Sequence, residues 1–158
     1  MTKHFALALH TTTSTLDLAI ASINYDAARQ PQSYIIHKQQ SWELGRELSV
    51  RLHGCLSVFM GDILWTDLSY VAIATGIGSF TGTRIGVVVA RTLGEQLDIP
   101  VYGFDCDAIV MRSQQDMPPL TLATSLLDLS FGQWRSQILQ GETLTTWQQI
   151  LPNYGSSP

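Results

Sequence analysis

The strongest constraint on the fold is a short apolar segment that runs directly into a glycine-rich turn. Residues 68–74, LSYVAIA, are almost continuously apolar without alternation, which is the pattern of a strand covered on both faces. The following segment, residues 75–86, reads TGIGSFTGTRIG and leads into a helical pattern that extends to about Leu97. Its glycines permit positive φ and close approach of backbones. A strand, a tight turn and a helix in this order predict an α/β fold.

The remaining periodicity completes a mixed five-stranded sheet. Strands are predicted at residues 5–9, 16–23, 33–37, 68–74 and 101–104. Helices are predicted at about residues 42–60, 82–97 and 106–114, with Ser41 and Asp105 as N-caps of the first and the last. The first three strands form an antiparallel meander, and crossover helices place the later strands parallel. The predicted order is therefore βββαβαβ.

Pro118 and Pro119 mark the clearest boundary in the chain. We predict an amino-terminal lobe at residues 1–117 and a short remnant of a second, truncated lobe at residues 118–158. Within the remnant, residues 120–127 and 133–139 have the composition of two strands, and the segment after Gly141 is expected to form a flexible tail.

The charge balance restricts the partners of the protein. Lys and Arg number 9 and Asp and Glu number 13, which gives a net charge of -4. This balance argues against binding of nucleic acid by the chain alone, because phosphate neutralisation needs clustered basic side chains. The charged fraction is 14%, against about 25% in typical domains. We therefore expect apolar surface that a partner or a second copy covers.

The sequence also bears on the compartment. No apolar run reaches the roughly 18 residues that a membrane-spanning helix needs. Cys55 and Cys106 lie far apart, and the histidines lack HxxxH or HExxH spacing, which argues against a disulfide framework and a metal site. The amino terminus has no signal-peptide pattern, so a cytoplasmic protein is predicted.

The glycine-rich turn has two interpretations. Its glycines fit neither the GxGxxG dinucleotide fingerprint nor a Walker loop. A phosphate site formed by backbone N–H groups remains open, with the candidate residues Gly76, Gly78, Ser79, Thr81 and Arg84. The favoured interpretation is a turn that serves packing and partner geometry.

The helix after the turn carries a stripe of small residues. Gly82, Gly86, Ala90 and Gly94 recur every four residues. A helical glycine costs roughly 0.5–1 kcal/mol relative to alanine, so the stripe predicts a neighbour at close range. The helix has a second, apolar face, so two neighbours are expected: one is the protein's own sheet, and the other is the helix at residues 42–60, a second chain, or both. That second face consists of Ile85, Val89, Leu93 and Leu97.

The turn TGIGSFTGTRIG at residues 75–86 resembles the GxGSFTGxRxG signature of the TsaB (YeaZ) family, and the order of elements over about residues 5–105 is also similar. The resemblance implies an actin/Hsp70-like, ribonuclease-H-like lobe. It further implies a non-catalytic scaffold subunit in the synthesis of tRNA threonylcarbamoyladenosine (t6A), without a cofactor of its own.

The resemblance also implies the partners. TsaB proteins pair with the TsaD transferase through the helices that correspond to residues 42–60 and 82–97 here, and TsaE docks on the pair. The implied partner-interface residues are Leu48, Leu52, Gly82, Gly86, Ala90 and Gly94. Contact with tRNA is expected through the complex alone, and a homodimer is expected when TsaD is absent.

Two departures from the family pattern leave other functions open. His10 stands where family members commonly have the Asp of LALDTS, which weakens any hydrolytic function, and the second lobe is short. The alternatives are a small nucleotide-binding protein that uses the loop from Gly76 to Gly82, and a truncated paralogue that acts outside the complex.

Overall fold

The computed structural model describes residues 3–155, and within this range the chain forms a mixed sheet of five strands with four α-helices. The strands are β1 (Phe5–His10), β2 (Thr15–Tyr25), β3 (Pro31–Glu43), β4 (Leu68–Gly76) and β5 (Val101–Asp105). The helices are α1 (Leu48–Met60), α2 (Phe80–Leu97), α3 (Cys106–Ser113) and α4 (Leu122–Gln140). The sheet order is β3-β2-β1-β4-β5, with an antiparallel β1–β2–β3 meander and parallel β1–β4 and β4–β5 pairs. The predicted α/β class and mixed sheet are confirmed.

The alternation in β1 divides the core into two layers. Leu7 and Leu9 belong to the layer that contains α1 and α2, whereas Ala6 and Ala8 belong to the layer that contains α4. The second layer continues through small side chains of the neighbouring strands, namely Ala19, Ala21, Ala72 and Ala74. These small side chains leave room for the aromatic residues of α4 close to the sheet.

Helix α4 replaces the two strands expected at residues 120–127 and 133–139, and that prediction is wrong. The helix begins after Thr121, whose hydroxyl accepts a hydrogen bond from Thr124 N–H at 3.2 Å. Its buried residues lie in both segments, and short apolar runs of this kind do not distinguish a buried helix from strands. Helix α4 packs on β1, β2 and β3 and shares a core layer with them, while the division of the chain into two lobes at Pro118 stays a prediction.

Two predicted helix starts have different outcomes. Ser41 is not an N-cap, because β3 continues to Glu43 and the Ser41 hydroxyl donates to Asp17 Oδ1 at 2.9 Å. The helix therefore begins at Leu48 instead of residue 42. Asp105 does cap α3, since its Oδ1 accepts from Ala108 N–H at 2.8 Å. No helix within residues 3–155 is long and apolar enough to cross a membrane.

The segment after Gly141 is more ordered than the sequence predicts. Residues 145–155 pack along α2 and the ends of β4 and β5, and Ile150 is buried. Val101 N–H donates to Thr145 O at 3.3 Å. Part of the predicted flexible tail is therefore packed, and residues 156–158 lie outside the described range.

Asp17 on β2 joins the sheet to α4. Its carboxyl is 6% exposed and accepts hydrogen bonds from Gln39 Nε2 at 2.7 Å and from Ser41 Oγ at 2.9 Å. It also accepts from Ala123 N–H in the first turn of α4 at 2.9 Å. The carboxyl satisfies a helix N–H that has no partner inside the helix, so it positions α4 on the sheet.

We expect Asp17→Ala to lower the free energy of unfolding by about 2–3 kcal/mol, because it leaves a buried backbone N–H and two side-chain donors without their acceptor. Urea denaturation of both proteins measures the loss. Asp62→Ala, at an exposed carboxyl, is the control and should change stability by less than about 0.5 kcal/mol. Equal effects of the two substitutions would contradict this role of Asp17.

Candidate functional site

The glycine loop, residues 76–79, packs on the turn that follows β1. Ser79 N–H donates to Thr12 O at 2.7 Å, and the Ser79 hydroxyl caps α2 by accepting from Gly82 N–H at 3.2 Å. A Cβ at Gly78 would lie 2.6 Å from Thr12 Cβ, closer than real Cβ contacts allow. Glycine is therefore required at this position by the approach of the β1–β2 turn.

The five candidate phosphate residues lie together in this loop and in the first turn of α2. One of their donors already has a protein partner, because Ser79 N–H donates to Thr12 O. The Arg84 guanidinium lies over the Phe80 ring, with its Cζ 6.0 Å from the ring centroid. These contacts favour the packing interpretation of the loop, and the phosphate site stays a prediction.

The small-residue stripe of α2 faces the chain's own sheet. A Cβ at Gly82 would overlap Thr11 O, and one at Gly86 would overlap the Thr11 hydroxyl. That hydroxyl donates to Gly82 O at 2.7 Å. A Cβ at Gly94 would overlap Val101, so β5 limits the other end of the stripe. The close neighbour that the stripe predicts is thus the β1–β2 turn and the sheet.

The predicted partner-interface residues are consequently not on the surface of this structure, and their contact with a partner stays a prediction. All six are buried by the chain itself: Leu48, Leu52, Gly82, Gly86, Ala90 and Gly94. Leucine periodicity and small-residue spacing identify the packed sides of α1 and α2. They do not identify the sides that remain exposed.

The exposed sides of α1 and α2 carry apolar residues that the sequence analysis missed. Val50 is 82% exposed, Val58 is 74% exposed and Val88 is 56% exposed. An apolar groove of about 450 Å³ lies between the two helices, lined mainly by His53, Leu56, Trp65, Val88, Val89 and Leu93. We call the groove and the exposed valines beside it the valine face; Val88 lines the groove itself, whereas Val50 and Val58 line a second depression of α1 next to Trp42. In the sequence, this region could have been found from the valines that lie between the regularly spaced leucines of the helices.

A polar cluster lies where β1 ends. His10 Nε2 is 3.2 Å from Thr12 Oγ1, which is 3.2 Å from Cys106 Sγ. Burial lowers the pKa of His10, and the nearby carboxyl of Asp17 opposes this effect in part. A neutral imidazole is a poor magnesium ligand. Within residues 3–155, His, Cys, Asp and Glu form no group of three suited to a metal.

The lowered pKa of His10 makes stability depend on pH. Below the unfolded-state pKa of about 6.5, the unfolded chain binds a proton that the folded chain does not, so stability falls as the pH falls. We expect the His10→Gln variant to lose less stability than the parent between pH 7.5 and pH 5.5 in urea denaturation, by up to about 1 kcal/mol. The control is His53→Gln, at an exposed histidine. If His10→Gln loses stability with pH as the parent does, His10 is not the source of the pH dependence.

The geometry can be compared with known proteins. Residues 44–125, more than half of the chain, match the family model described as TsaD: tRNA N6-adenosine threonylcarbamoyltransferase. The chain belongs to this family. The matched range includes α1, the glycine loop, α2 and the start of α4.

Curated relatives of this family member are TsaB proteins. The tRNA threonylcarbamoyladenosine biosynthesis protein TsaB of Bacillus subtilis (strain 168) is 35% identical over 89 residues, covering 56% of this chain and 36% of the relative. TsaB of Buchnera aphidicola subsp. Schizaphis graminum (strain Sg) is 43% identical over 46 residues, covering 29% and 22%. The predicted resemblance to the TsaB (YeaZ) family is confirmed. The chain spans about a third or less of the length of these relatives.

Solved structures agree with the fold of the family member. YeaZ from Pseudomonas aeruginosa matches with a TM-score of 0.57 and 21% identity, over 75% of this chain and 51% of that one. RuvC of Thermus thermophilus, in complex with a Holliday junction substrate, matches with a TM-score of 0.56 and 8% identity, over 89% and 98%. The RuvC match extends over a larger share of this chain than the YeaZ match does.

Proposed function

We propose that this protein is a non-catalytic subunit of the machinery that makes t6A in tRNA, and that it pairs with a TsaD transferase. The family match and the TsaB names of the curated relatives support the pathway. The observation that carries the pairing is the valine face, an apolar surface on α1 and α2, the helices through which the family resemblance implies pairing. TsaE joins as a further partner of the pair.

The valine face has the character of an interface centre. Aliphatic and aromatic side chains line its groove, whereas Arg51 and Glu95 lie on its margins. Interfaces commonly place apolar residues at the centre and charged residues at the rim. Burial of apolar surface contributes about 25 cal/mol per Å², so covering this groove favours association. The buried glycine stripe then acts indirectly, because it fixes the height of α2 above the sheet.

In this proposal the chain contributes shape and no nucleophile. His10 lies at the end of β1, where family members commonly have an Asp. It is buried, and burial lowers its pKa. The net charge of -4 and the two lysines leave tRNA contact to the partner subunits. A role in tRNA modification supports a location in the cytoplasm.

We expect Val88→Glu to weaken copurification with TsaD from the same organism, with affinity reduced at least about tenfold, because a carboxylate in an apolar interface loses its hydration. The matched control is Val110→Glu on α3, where the valine is 40% exposed and lies outside the groove. Circular dichroism of both variants should resemble the parent.

The same variants test self-association. Without TsaD we expect the parent to sediment as a homodimer at micromolar concentration, with two valine faces in contact, and Val88→Glu to sediment as a monomer. Parent-like binding of TsaD by Val88→Glu would refute the placement of the interface. A folded parent that does not bind TsaD at all would instead favour a truncated paralogue outside the complex.

A small nucleotide-binding protein is the second candidate. A cleft of about 470 Å³ lies between the start of α1 and the glycine loop, lined by residues that include Arg46, Ser49, Ser79 and Thr81. Hydroxyls and an arginine suit a phosphate group. For this candidate, calorimetry should detect ATP binding to the chain alone, weakened by Arg46→Ala, which removes the arginine that lines the cleft. No heat at millimolar ATP would exclude it.

A further inference from the structure

The exposed side of α2 carries opposite charges at its two ends. Its residues Arg84, Val88, Arg91 and Glu95 recur every three or four positions, so they lie on one face of the helix, and they line one depression of about 270 Å³. Of these, Arg84, Val88 and Glu95 are exposed. Glu95 follows Arg84 after about three helical turns, or about 16 Å along the axis. This face is therefore positive at its start, apolar in its middle and negative at its end.

The charges at the two ends of this face are not neutralised within the chain. All ion pairs within residues 3–155 lie on or beside α1, α3 and α4, so neither Arg84 nor Glu95 takes part in one. Arg91, in the middle, is held to one side, because its Nη1 donates to Ile150 O at 3.1 Å and its Cζ lies 5.3 Å from the centroid of the Trp147 ring. Arg84 and Glu95 are therefore the charges of this face that can bind a partner.

These two charges suit a second copy of the same chain in one orientation. When two identical helices lie antiparallel about a two-fold axis, the start of each helix faces the end of the other. Arg84 of each copy then lies opposite Glu95 of the other copy, and the axis passes close to Val88. In a parallel pair, Arg84 would face Arg84 and Glu95 would face Glu95, so that like charges repel each other.

The apolar residues and the charges have different roles in this contact. Val88 lines both the depression and the groove between α1 and α2, so contact between two copies here is continuous with the valine face. Burial of apolar surface supplies the stability, because exposed ion pairs contribute little by themselves. The ion pairs select the orientation and the register, because any other alignment leaves both charges unpaired.

We propose that α2 pairs antiparallel with α2 of a second copy, and that two reciprocal ion pairs between Arg84 and Glu95 select this orientation. The inference rests on the self-association that is part of the proposed function, and it names the residues that determine the geometry. Its test uses this chain alone, without TsaD or tRNA. Its failure is therefore distinguishable from failure of the proposed subunit role.

Reversal and exchange of the two charges test the pairing. We expect Arg84→Glu and Glu95→Arg each to raise the dissociation constant of the dimer at least about tenfold in sedimentation equilibrium at low ionic strength, because each variant places like charges opposite each other. The double variant Arg84→Glu/Glu95→Arg should return to within about threefold of the parent, because it restores both ion pairs with reversed sign. An acidic residue near the start of a helix and a basic residue near its end both favour the helix, so the single variants should fold like the parent.

The control is Arg29→Glu, in the exposed turn between β2 and β3, which should leave the dissociation constant unchanged. Parent-like dimers of both single variants would overturn the pairing, and so would a double variant that dimerises no better than the single variants. A parent that binds TsaD but stays monomeric at micromolar concentration would refute this pairing alone. A parent that does not bind TsaD, but whose dimer is lost on charge reversal and restored on charge exchange, would support the pairing and refute the subunit role.

Discussion

The contact between the turn after β1 and the first half of α2 determines the rest of the structure. The Thr11 hydroxyl donates to Gly82 O, and Ser79 N–H donates to Thr12 O, so the turn binds both the helix and the loop before it. The missing side chains of Gly78, Gly82 and Gly86 make this approach possible. Because glycine weakens an isolated helix, this one depends on tertiary packing for its stability.

This contact explains how buried glycines support an exposed apolar surface elsewhere. It sets the rotation of α2 about its axis, which directs Gly86 and Ala90 to the sheet and Val88 to the outside. The groove between α1 and α2 follows from that rotation. The glycines of the motif shared with the TsaB (YeaZ) family therefore position α2 beneath the valine face. The valine face itself is formed by other residues.

The sequence predicted β4, the loop and α2 because their signals are local: an unbroken apolar run, glycines at a turn and the helical pattern that follows them. The path of α4 could not be predicted in this way, because its buried residues, such as Leu126, Leu127 and Phe131, occur as short apolar runs without a clear helical period. The glycine stripe predicted a close neighbour correctly but not its identity. The spacing of small residues along a helix shows that a neighbour packs closely against it but does not identify that neighbour. Here the neighbour is Thr11, which lies 71 positions from Gly82 in the sequence.

The alanine layer under α4 makes the two sides of the sheet unequal in their tolerance of change. On the leucine side, long flexible side chains can adjust their rotamers to a substitution. On the other side, methyl groups such as those of Ala8 and Ala72 meet rigid rings, including Trp134. An added methylene on this side would overlap its neighbours in every rotamer. Substitutions should therefore accumulate in the core beneath α1 and α2. On the other side, the alanines set the distance between α4 and the sheet, and this distance should stay constant.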